Sequence, residues 1–126
     1  MNTEKRILVI DDDASITRLL KLNLEQINGY SVRTLNDATQ AMATATEFRP
    51  DLILLDVLMP GVDGGELARE FQADPQFKKV PIIFLTAVTT KQEVSSRGGL
   101  IGGMPFLAKP VDIPEVVSCL EAYLGA

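Results

Sequence analysis

The chain has 126 residues, of which 46% are hydrophobic, so we expect residues 1–126 to form a single domain around one core, with no second domain attached. Its net charge of −5 argues against nucleic acid or an anionic membrane as the main partner, because both attract basic surfaces. With one cysteine and no histidine, the chain can form neither an intramolecular disulfide nor a histidine-based metal site, and its thiol content favours a cytoplasmic location.

Short apolar runs alternate with helical patterns five times along the chain, which predicts an α/β fold with helices on both faces of a parallel sheet. The first run, residues 6–10, stops at an aspartate cluster and is too short for a signal sequence or a membrane span. The first helical pattern ends near Asn28 and Gly29, a typical left-handed C-cap. Residues 31–35 alternate between polar and apolar side chains, so we expect this second strand at an edge of the sheet.

The later elements have marked boundaries, with the fourth helix as the exception. Apolar runs at 52–55 and 82–85 predict central strands that are covered on both faces. The second, third and fifth helices each follow an aspartate with glutamine or glutamate three residues later, the spacing of a capping box: Asp37, Asp63 and Asp112. A fourth helix at 89–97 would be short or marginal, because four glycines follow it within six residues: Gly98, Gly99, Gly102 and Gly103.

Polar side chains follow four of the predicted strands. The acidic triplet that begins at Asp11 follows the first strand, Asp56 the third, Thr86 the fourth, and Lys109 the fifth, at 106–108. Because the carboxyl ends of parallel strands share one edge of a sheet, we expect these side chains to converge. A carboxylate can attack a phosphoryl group to form an acyl phosphate, while a magnesium ion and an ammonium group offset the surrounding charge. The pattern therefore predicts phosphoryl chemistry at a metal site.

Each of these residues has a simpler interpretation when it stands alone. An aspartate before a helix is usually an N-cap, which fits Asp12 or Asp13, and Asp56 could begin a turn. Thr86 alone would be a strand-end hydroxyl, and Lys109 alone would be a solvated surface charge. Three consecutive aspartates exceed what a cap requires, so the combination favours a functional site.

Four segments together resemble the receiver domains of bacterial two-component response regulators: Ile7-Leu-Val-Ile-Asp-Asp12, Asp51-Leu-Ile-Leu-Leu-Asp-Val-Leu-Met-Pro-Gly-Val-Asp-Gly64, Thr86-Ala87 and Lys109-Pro110. The resemblance covers nearly the whole chain. Within the family, the chain is similar to stand-alone chemotaxis regulators. It implies a flavodoxin-like, doubly wound sheet of five parallel strands in the order 2-1-3-4-5, with five helices.

The resemblance also implies a metal-dependent phosphoacceptor. Asp56 is then the acceptor, Asp11 and Asp12 are the acidic pair that binds Mg²⁺ or Mn²⁺, and Asp13 is a bystander. Asp56 and the backbone carbonyl of Leu58 complete the protein ligands of the metal.

Three further residues receive roles in switching and charge compensation from the same resemblance. Thr86 binds the phosphoryl group, Lys109 pairs with it ahead of a peptide bond that is a candidate for the cis form, and Phe106 turns inward on activation. Leu58 and Val88 occupy two positions that tune the phosphoryl lifetime in this family. Both are apolar and cannot orient an attacking water, so our hypothesis is slow self-dephosphorylation.

The implied partners are proteins. A sensor histidine kinase or a phosphotransfer protein donates the phosphoryl group, and a downstream protein binds the face formed by the fourth helix, the fifth strand and the fifth helix. The resemblance implies neither direct nucleic-acid binding nor membrane insertion. The domain would then be a phosphoacceptor switch and not a turnover enzyme.

Two other functions fit parts of the pattern. Asp11 and Asp13 form an Asp-x-Asp sequence after a strand, which resembles haloacid-dehalogenase-like phosphatases. Those enzymes need a further acidic motif after the lysine, where only Asp112 and Glu115 remain here. A receiver that docks constitutively and is never phosphorylated is the other alternative, since an intact site does not prove its use.

Overall fold

The computed structural model describes residues 4–87, 100–101 and 104–125. The strands in these ranges are β1 (Arg6–Ile10), β2 (Ser31–Leu35), β3 (Leu52–Asp56), β4 (Leu58–Met59), β5 (Val62–Asp63), β6 (Ile82–Thr86), β7 (Leu100–Ile101) and β8 (Met104–Ala108). The helices there are α1 (Ala14–Asn28), a 3-10 turn (Ala38–Gln40), α2 (Ala41–Phe48), α3 (Gly64–Ala73) and α4 (Ile113–Leu124). The predicted helix at 89–97, the glycines after it and Val88 lie outside the described residues, so α4 corresponds to the fifth predicted helix.

The main sheet has the order β2-β1-β3-β6-β8-β7. Its first five strands are parallel, while β7 pairs with β8 in the antiparallel direction. The predicted α/β class, the order of the five parallel strands and the edge position of β2 are therefore confirmed. The short strand β7 and the β4–β5 hairpin were not predicted, because strands of two residues show no periodicity in a sequence.

Helices cover both faces of the sheet, which explains the uninterrupted apolar runs of the central strands. Successive residues of a strand point to opposite faces, so β1 places Ile7 and Val9 on one face and Leu8 and Ile10 on the other. The first face packs against α1 and α4, and the second against α2 and α3. Every residue of β3 and β6 is buried.

Aspartates begin the helices at the predicted positions. The side chain of Asp63 accepts hydrogen bonds at the start of α3, and that of Asp112 accepts from the Glu115 amide at the start of α4. Asp37 caps the 3-10 turn that leads into α2. At the other end of α1, Gly29 has a left-handed φ of 67°, as predicted. In the described part of the chain, no helix is long and apolar enough to span a membrane.

Two side chains of α1 cover the outer edge of β2 at Val32. Lys21 Nζ donates to the Val32 carbonyl oxygen at 2.7 Å, and the Val32 amide donates to Glu25 Oε2 at 3.2 Å. Lys21 and Glu25 also form an ion pair at 3.1 Å. Among the described residues, β1 is the only strand neighbour of β2, so these contacts satisfy backbone groups that the sheet leaves unpaired.

Candidate functional site

The carboxyl ends of four parallel strands carry the predicted site residues to one edge of the sheet. In the register of the strands, Asp56 pairs with the residue before Thr86, and Thr86 pairs with the residue before Lys109. Asp11 directly follows β1, which lies beside β3. The structure thus brings Asp11, Asp56, Thr86 and Lys109 to one edge, as expected for the ends of parallel strands.

The ammonium group of Lys109 lies between two buried carboxylates. Its Nζ is 2.8 Å from Asp11 Oδ2 and 3.4 Å from Asp56 Oδ1. Asp11 is fully buried and Asp56 is 3% exposed, so both charges are largely removed from water. A single cation therefore offsets part of two negative charges at this edge.

The backbone also holds Lys109 in place. Its amide donates to the Thr86 carbonyl oxygen at 2.8 Å, which continues the pairing of β8 with β6. The following Lys109–Pro110 peptide bond is cis. Thr86 is only 8% exposed, so this residue belongs to the buried part of the site.

The segment after Asp56 folds back tightly against the end of β3. The Leu58 amide donates to Asp56 Oδ1 at 3.2 Å, and the Gly64 amide donates to the Val57 carbonyl oxygen at 3.1 Å. A Cβ on Gly64 would lie 2.4 Å from the Asp56 carbonyl oxygen and 2.8 Å from Val57 Cα. Only glycine fits this close approach of two backbone segments.

Three carboxylates of the site are arranged in a way that suits a divalent cation. Asp11, Asp12 and Asp56 each offer a carboxylate oxygen, and these oxygens lie within 4.8 Å of one another. Asp11 and Asp56 are buried, whereas Asp12 is exposed. Asp11 Oδ2 is buried, and its partner among the described residues is the Lys109 ammonium, at 2.8 Å. Buried carboxylate oxygens suit metal coordination, since hard divalent cations prefer such ligands.

The buried, negatively charged environment of Asp56 raises the pKa of its carboxyl group. Burial, followed by the negative charge of Asp11, raises the pKa of Asp56 to about 6 from its ordinary value of 3.8, against the opposing effect of Lys109. Burial lowers the pKa of Lys109, but its contacts with Asp11 and Asp56 outweigh burial and raise that pKa overall. Near neutral pH the site therefore contains an ionised but destabilised Asp56 beside a firmly protonated lysine.

The raised pKa of Asp56 predicts how the metal-free domain responds to pH. Because its pKa is higher in the folded than in the unfolded chain, the folded state binds more protons between about pH 4 and 6, and stability falls as pH rises through this window. Asp56→Asn should remove this loss and stabilise the domain at pH 7 by on the order of 1–2 kcal/mol, after allowance for solvent screening. Urea unfolding of both proteins in EDTA at pH 4 and pH 7 measures the difference. An advantage of the variant that is equally large at pH 4 would contradict this assignment.

Asp13 does not join the carboxylate cluster. Its side chain accepts hydrogen bonds from the Ser15 amide at 2.9 Å and from the Ser15 hydroxyl at 2.6 Å, and it forms the N-cap of α1. These hydrogen bonds lower the pKa of Asp13. The simpler interpretation of an aspartate before a helix therefore applies to Asp13.

Phe106 and Leu58 are the two remaining described residues to which the resemblance assigns a role. Phe106 is half-buried, pairs with Phe84 in the strand register and packs against the core on the α2–α3 face. The side chain of Leu58 is 74% exposed, whereas its amide points to Asp56. The residue two positions after Asp56 therefore has an apolar, solvent-exposed side chain.

Sequence reasoning did not single out two residues that shape this edge. Asn36 directly follows β2 and donates through Nδ2 to the Asp11 carbonyl oxygen at 2.8 Å. The strand-end rule that selected the other site residues could have found it, because β2 ends at the same edge. Gly64 ends one of the segments that carry the family resemblance, but its steric requirement arises from a tertiary contact that residue spacing does not reveal.

Comparisons with known proteins agree on the family. The family model described as "Response regulator receiver domain" matches residues 7–121. Among solved structures, the chemotaxis protein CheY4 of Vibrio cholerae superposes with a TM-score of 0.81 at 30% identity, over 96% of this chain and 99% of that one. The receiver domain of the Francisella response regulator 1452 gives a TM-score of 0.79 at 25% identity, over 97% of this chain and 98% of that one.

Two relatives known from their sequences are longer proteins. The "DNA-binding response regulator MtrA" of Mycobacterium tuberculosis is 38% identical over 95% of this chain and 50% of its own length. The "DNA-binding dual master transcriptional regulator RpaA" of a Synechocystis strain is 36% identical over 94% of this chain and 48% of its own length. The chain therefore spans about half the length of these relatives.

Proposed function

Since the chain belongs to the response regulator receiver domains of two-component systems, which are phosphoacceptor signalling modules, we propose that Asp56 accepts a phosphoryl group and thereby changes the affinity of the domain for a partner protein. A sensor histidine kinase or a phosphotransfer protein is the proposed donor. The phosphoryl–nitrogen bond of the donor breaks as an Asp56 oxygen forms a bond to phosphorus, and the product is an acyl phosphate.

The observation that carries this proposal is the position of Lys109 between Asp11 and Asp56, at 2.8 and 3.4 Å. An ammonium group at this place can offset the charge of Asp56 before transfer and the charge of the phosphoryl group after it. Asp56 is ionised at neutral pH, since its pKa is about 6. It can therefore act as a nucleophile without a separate general base.

We assign the carboxylate cluster to a divalent cation, Mg²⁺ or Mn²⁺. Asp11, Asp12 and Asp56 would hold it, together with the backbone carbonyl of Leu58, and their oxygen donors suit a hard ion. When bound, the ion supplies positive charge for the phosphoryl oxygens. Asp11 and Asp12 then orient the ion, and Lys109 neutralises the remaining charge.

The proposed switch uses Thr86 and Phe106. The Thr86 hydroxyl donates to a phosphoryl oxygen on Asp56, and its movement leaves space for the half-buried Phe106. A shift between two existing conformations is sufficient for this change. The proposed partner face includes β8 and α4; the remaining part, the predicted helix at 89–97, lies outside the described residues.

We further propose that the phosphorylated form persists and that the domain is not a turnover enzyme. Leu58 is 74% exposed beside the site, and its apolar side chain cannot orient an attacking water by hydrogen bonding. Two named relatives are DNA-binding regulators, but the net charge of −5 supports protein partners for this domain, without direct nucleic-acid binding or membrane insertion.

The phosphatase alternative is not favoured by the geometry. It requires Asp11 and Asp13 to act together, and Asp13 is committed to capping α1 through Ser15. A constitutive docking module would leave the pairing of Lys109 with Asp56 without a chemical role. The phosphoacceptor function is consistent with the capping role of Asp13 and gives the pairing of Lys109 with Asp56 a chemical role.

The direct test is phosphoryl uptake from a small donor. The purified chain is incubated with Mg²⁺ and acetyl phosphate, and its intact mass is recorded beside that of Asp56→Asn. We expect one added phosphoryl group on the wild-type chain only, with loss of the addition when EDTA replaces Mg²⁺. Absence of any addition to the wild type would support the constitutive docking module, and steady phosphate release by Asp56→Asn would support the phosphatase.

A further inference from the structure

The side-chain amide of Asn36 connects two elements that adjoin the carboxylate cluster. Its Nδ2 donates to the Asp11 backbone carbonyl at 2.8 Å and to Thr17 Oγ1 at 3.1 Å. Thr17 is 3% exposed, and its hydroxyl donates to the Ala14 carbonyl oxygen at 3.2 Å. One amide group therefore joins the loop after β1 to the first turn of α1.

These contacts immobilise Asp11 through its backbone. The Asp11 amide donates to the Leu35 carbonyl oxygen at 3.1 Å, so the end of β2 holds the amide as well as the carbonyl of this residue. The Asp11 side chain then makes two contacts, since Oδ1 accepts from the Asp13 amide at 2.9 Å and Oδ2 lies 2.8 Å from Lys109 Nζ. The direction of the carboxylate thus depends on a backbone that Asn36 holds.

We infer that Asn36 is a positioning residue, which fixes the backbone of Asp11 so that its carboxylate is oriented for a divalent cation before the cation arrives. A residue that orients a metal ligand without touching the metal commonly changes affinity by tenfold or more. Without the amide, Asp11 and the adjacent Asp12 would have to be ordered when the ion binds. The link to cation binding rests on the proposed function, whereas the orientation of Asp11 is a property of the metal-free domain.

The first measurement is the dissociation constant for Mg²⁺ by isothermal titration calorimetry. Asn36→Ala should raise it by about tenfold. The matched control is Asn23→Ala, because Asn23 Nδ2 also donates to a backbone carbonyl, that of Leu19, at 2.8 Å, but within α1 and away from the cluster. Asn23→Ala should leave the dissociation constant within about twofold of the wild-type value, since its contact lies outside the site.

The second measurement needs no metal and follows the Asp13 amide, which reports the orientation of Asp11 through its hydrogen bond to Oδ1. Hydrogen exchange at this amide should be faster by about tenfold in Asn36→Ala, relative to a core amide such as that of Leu54 that reports global unfolding. Thr17→Ser keeps the hydroxyl that accepts from Asn36 and should preserve the wild-type exchange rate. Thr17→Val removes this acceptor and should increase the rate.

The outcomes separate a positioning role from a structural one. If Asn36→Ala only lowers stability, while Mg²⁺ affinity and Asp13 exchange remain as in Asn23→Ala, the inference is overturned. If the wild-type chain binds no Mg²⁺, the proposed function fails. The exchange rates of Asp13 in the metal-free variants then still decide whether Asn36 positions Asp11.

Discussion

Gly64→Ala should destabilise the domain by about 2–4 kcal/mol, the range expected when an added methyl group meets backbone that cannot move aside. The new Cβ would lie 2.4 Å from the Asp56 carbonyl oxygen and 2.9 Å from that of Val57. Relief of this clash requires α3 or the end of β3 to shift. Because Asp56 is the residue displaced, phosphoryl uptake should decrease together with stability. Urea unfolding and the acetyl phosphate assay measure the two effects.

The neighbouring Gly65 supplies the control for this prediction. A Cβ at Gly65 would meet only the Asp63 side chain, at 3.2 Å, and alanine is favoured over glycine within a helix by about 1 kcal/mol. Gly65→Ala should therefore be neutral or slightly stabilising. Similar unfolding midpoints for the two variants would show that the close approach at Gly64 is not the source of the effect.

Asp11→Asn should weaken Mg²⁺ binding by on the order of 100-fold, because the proposed metal site would lose a charged oxygen ligand that is already buried in place. The same change should lower the pKa of Asp56, since the charge of Asp11 is one of the two causes that raise it. Addition of Mg²⁺ above its dissociation constant should increase the unfolding temperature of the wild type, and the same concentration should have little effect on the variant. Calorimetry measures the affinity, and carboxyl NMR titration measures the pKa.

Asp13→Asn is the matched control for the acidic triplet. Asparagine can also accept hydrogen bonds at an N-cap, and the Asp13 side chain is engaged with Ser15 outside the carboxylate cluster. We expect its Mg²⁺ affinity to stay within about threefold of the wild-type value, since the lost charge is exposed, is screened by solvent and lies outside the carboxylate cluster. An equal loss of affinity in both variants would indicate general electrostatic attraction instead of coordination by Asp11.

The central strands of the sheet could be predicted from the sequence because both of their faces are buried. Residues 52–55 and 82–85 are apolar without interruption because helices cover both sides of β3 and β6. The alternation in 31–35 likewise identified the edge strand β2. The β4–β5 hairpin escaped prediction because its pairing depends on the turn that follows Asp56, and its strands are too short to show a period.

The members of the candidate site could be predicted from the sequence because of where the parallel strands end. Asp11, Asp56, Thr86 and Lys109 each stand at the end of a parallel strand, and topology alone brings such positions together. What remained hidden depends on three-dimensional contacts, namely the hydrogen bond from Asn36 to the Asp11 carbonyl oxygen and the close backbone approach at Gly64. Residue type and spacing do not specify these contacts.

The coverage of Val32 by Lys21 and Glu25 has a consequence for self-association. An open strand edge is a template on which a strand from another molecule can add, and proteins that remain apart must protect such edges. An incoming strand at β2 would have to displace two side-chain hydrogen bonds and the ion pair between them. Copies of this chain at high concentration are thereby discouraged from joining their sheets at this border, and aggregation through β2 is opposed by two surface residues of α1.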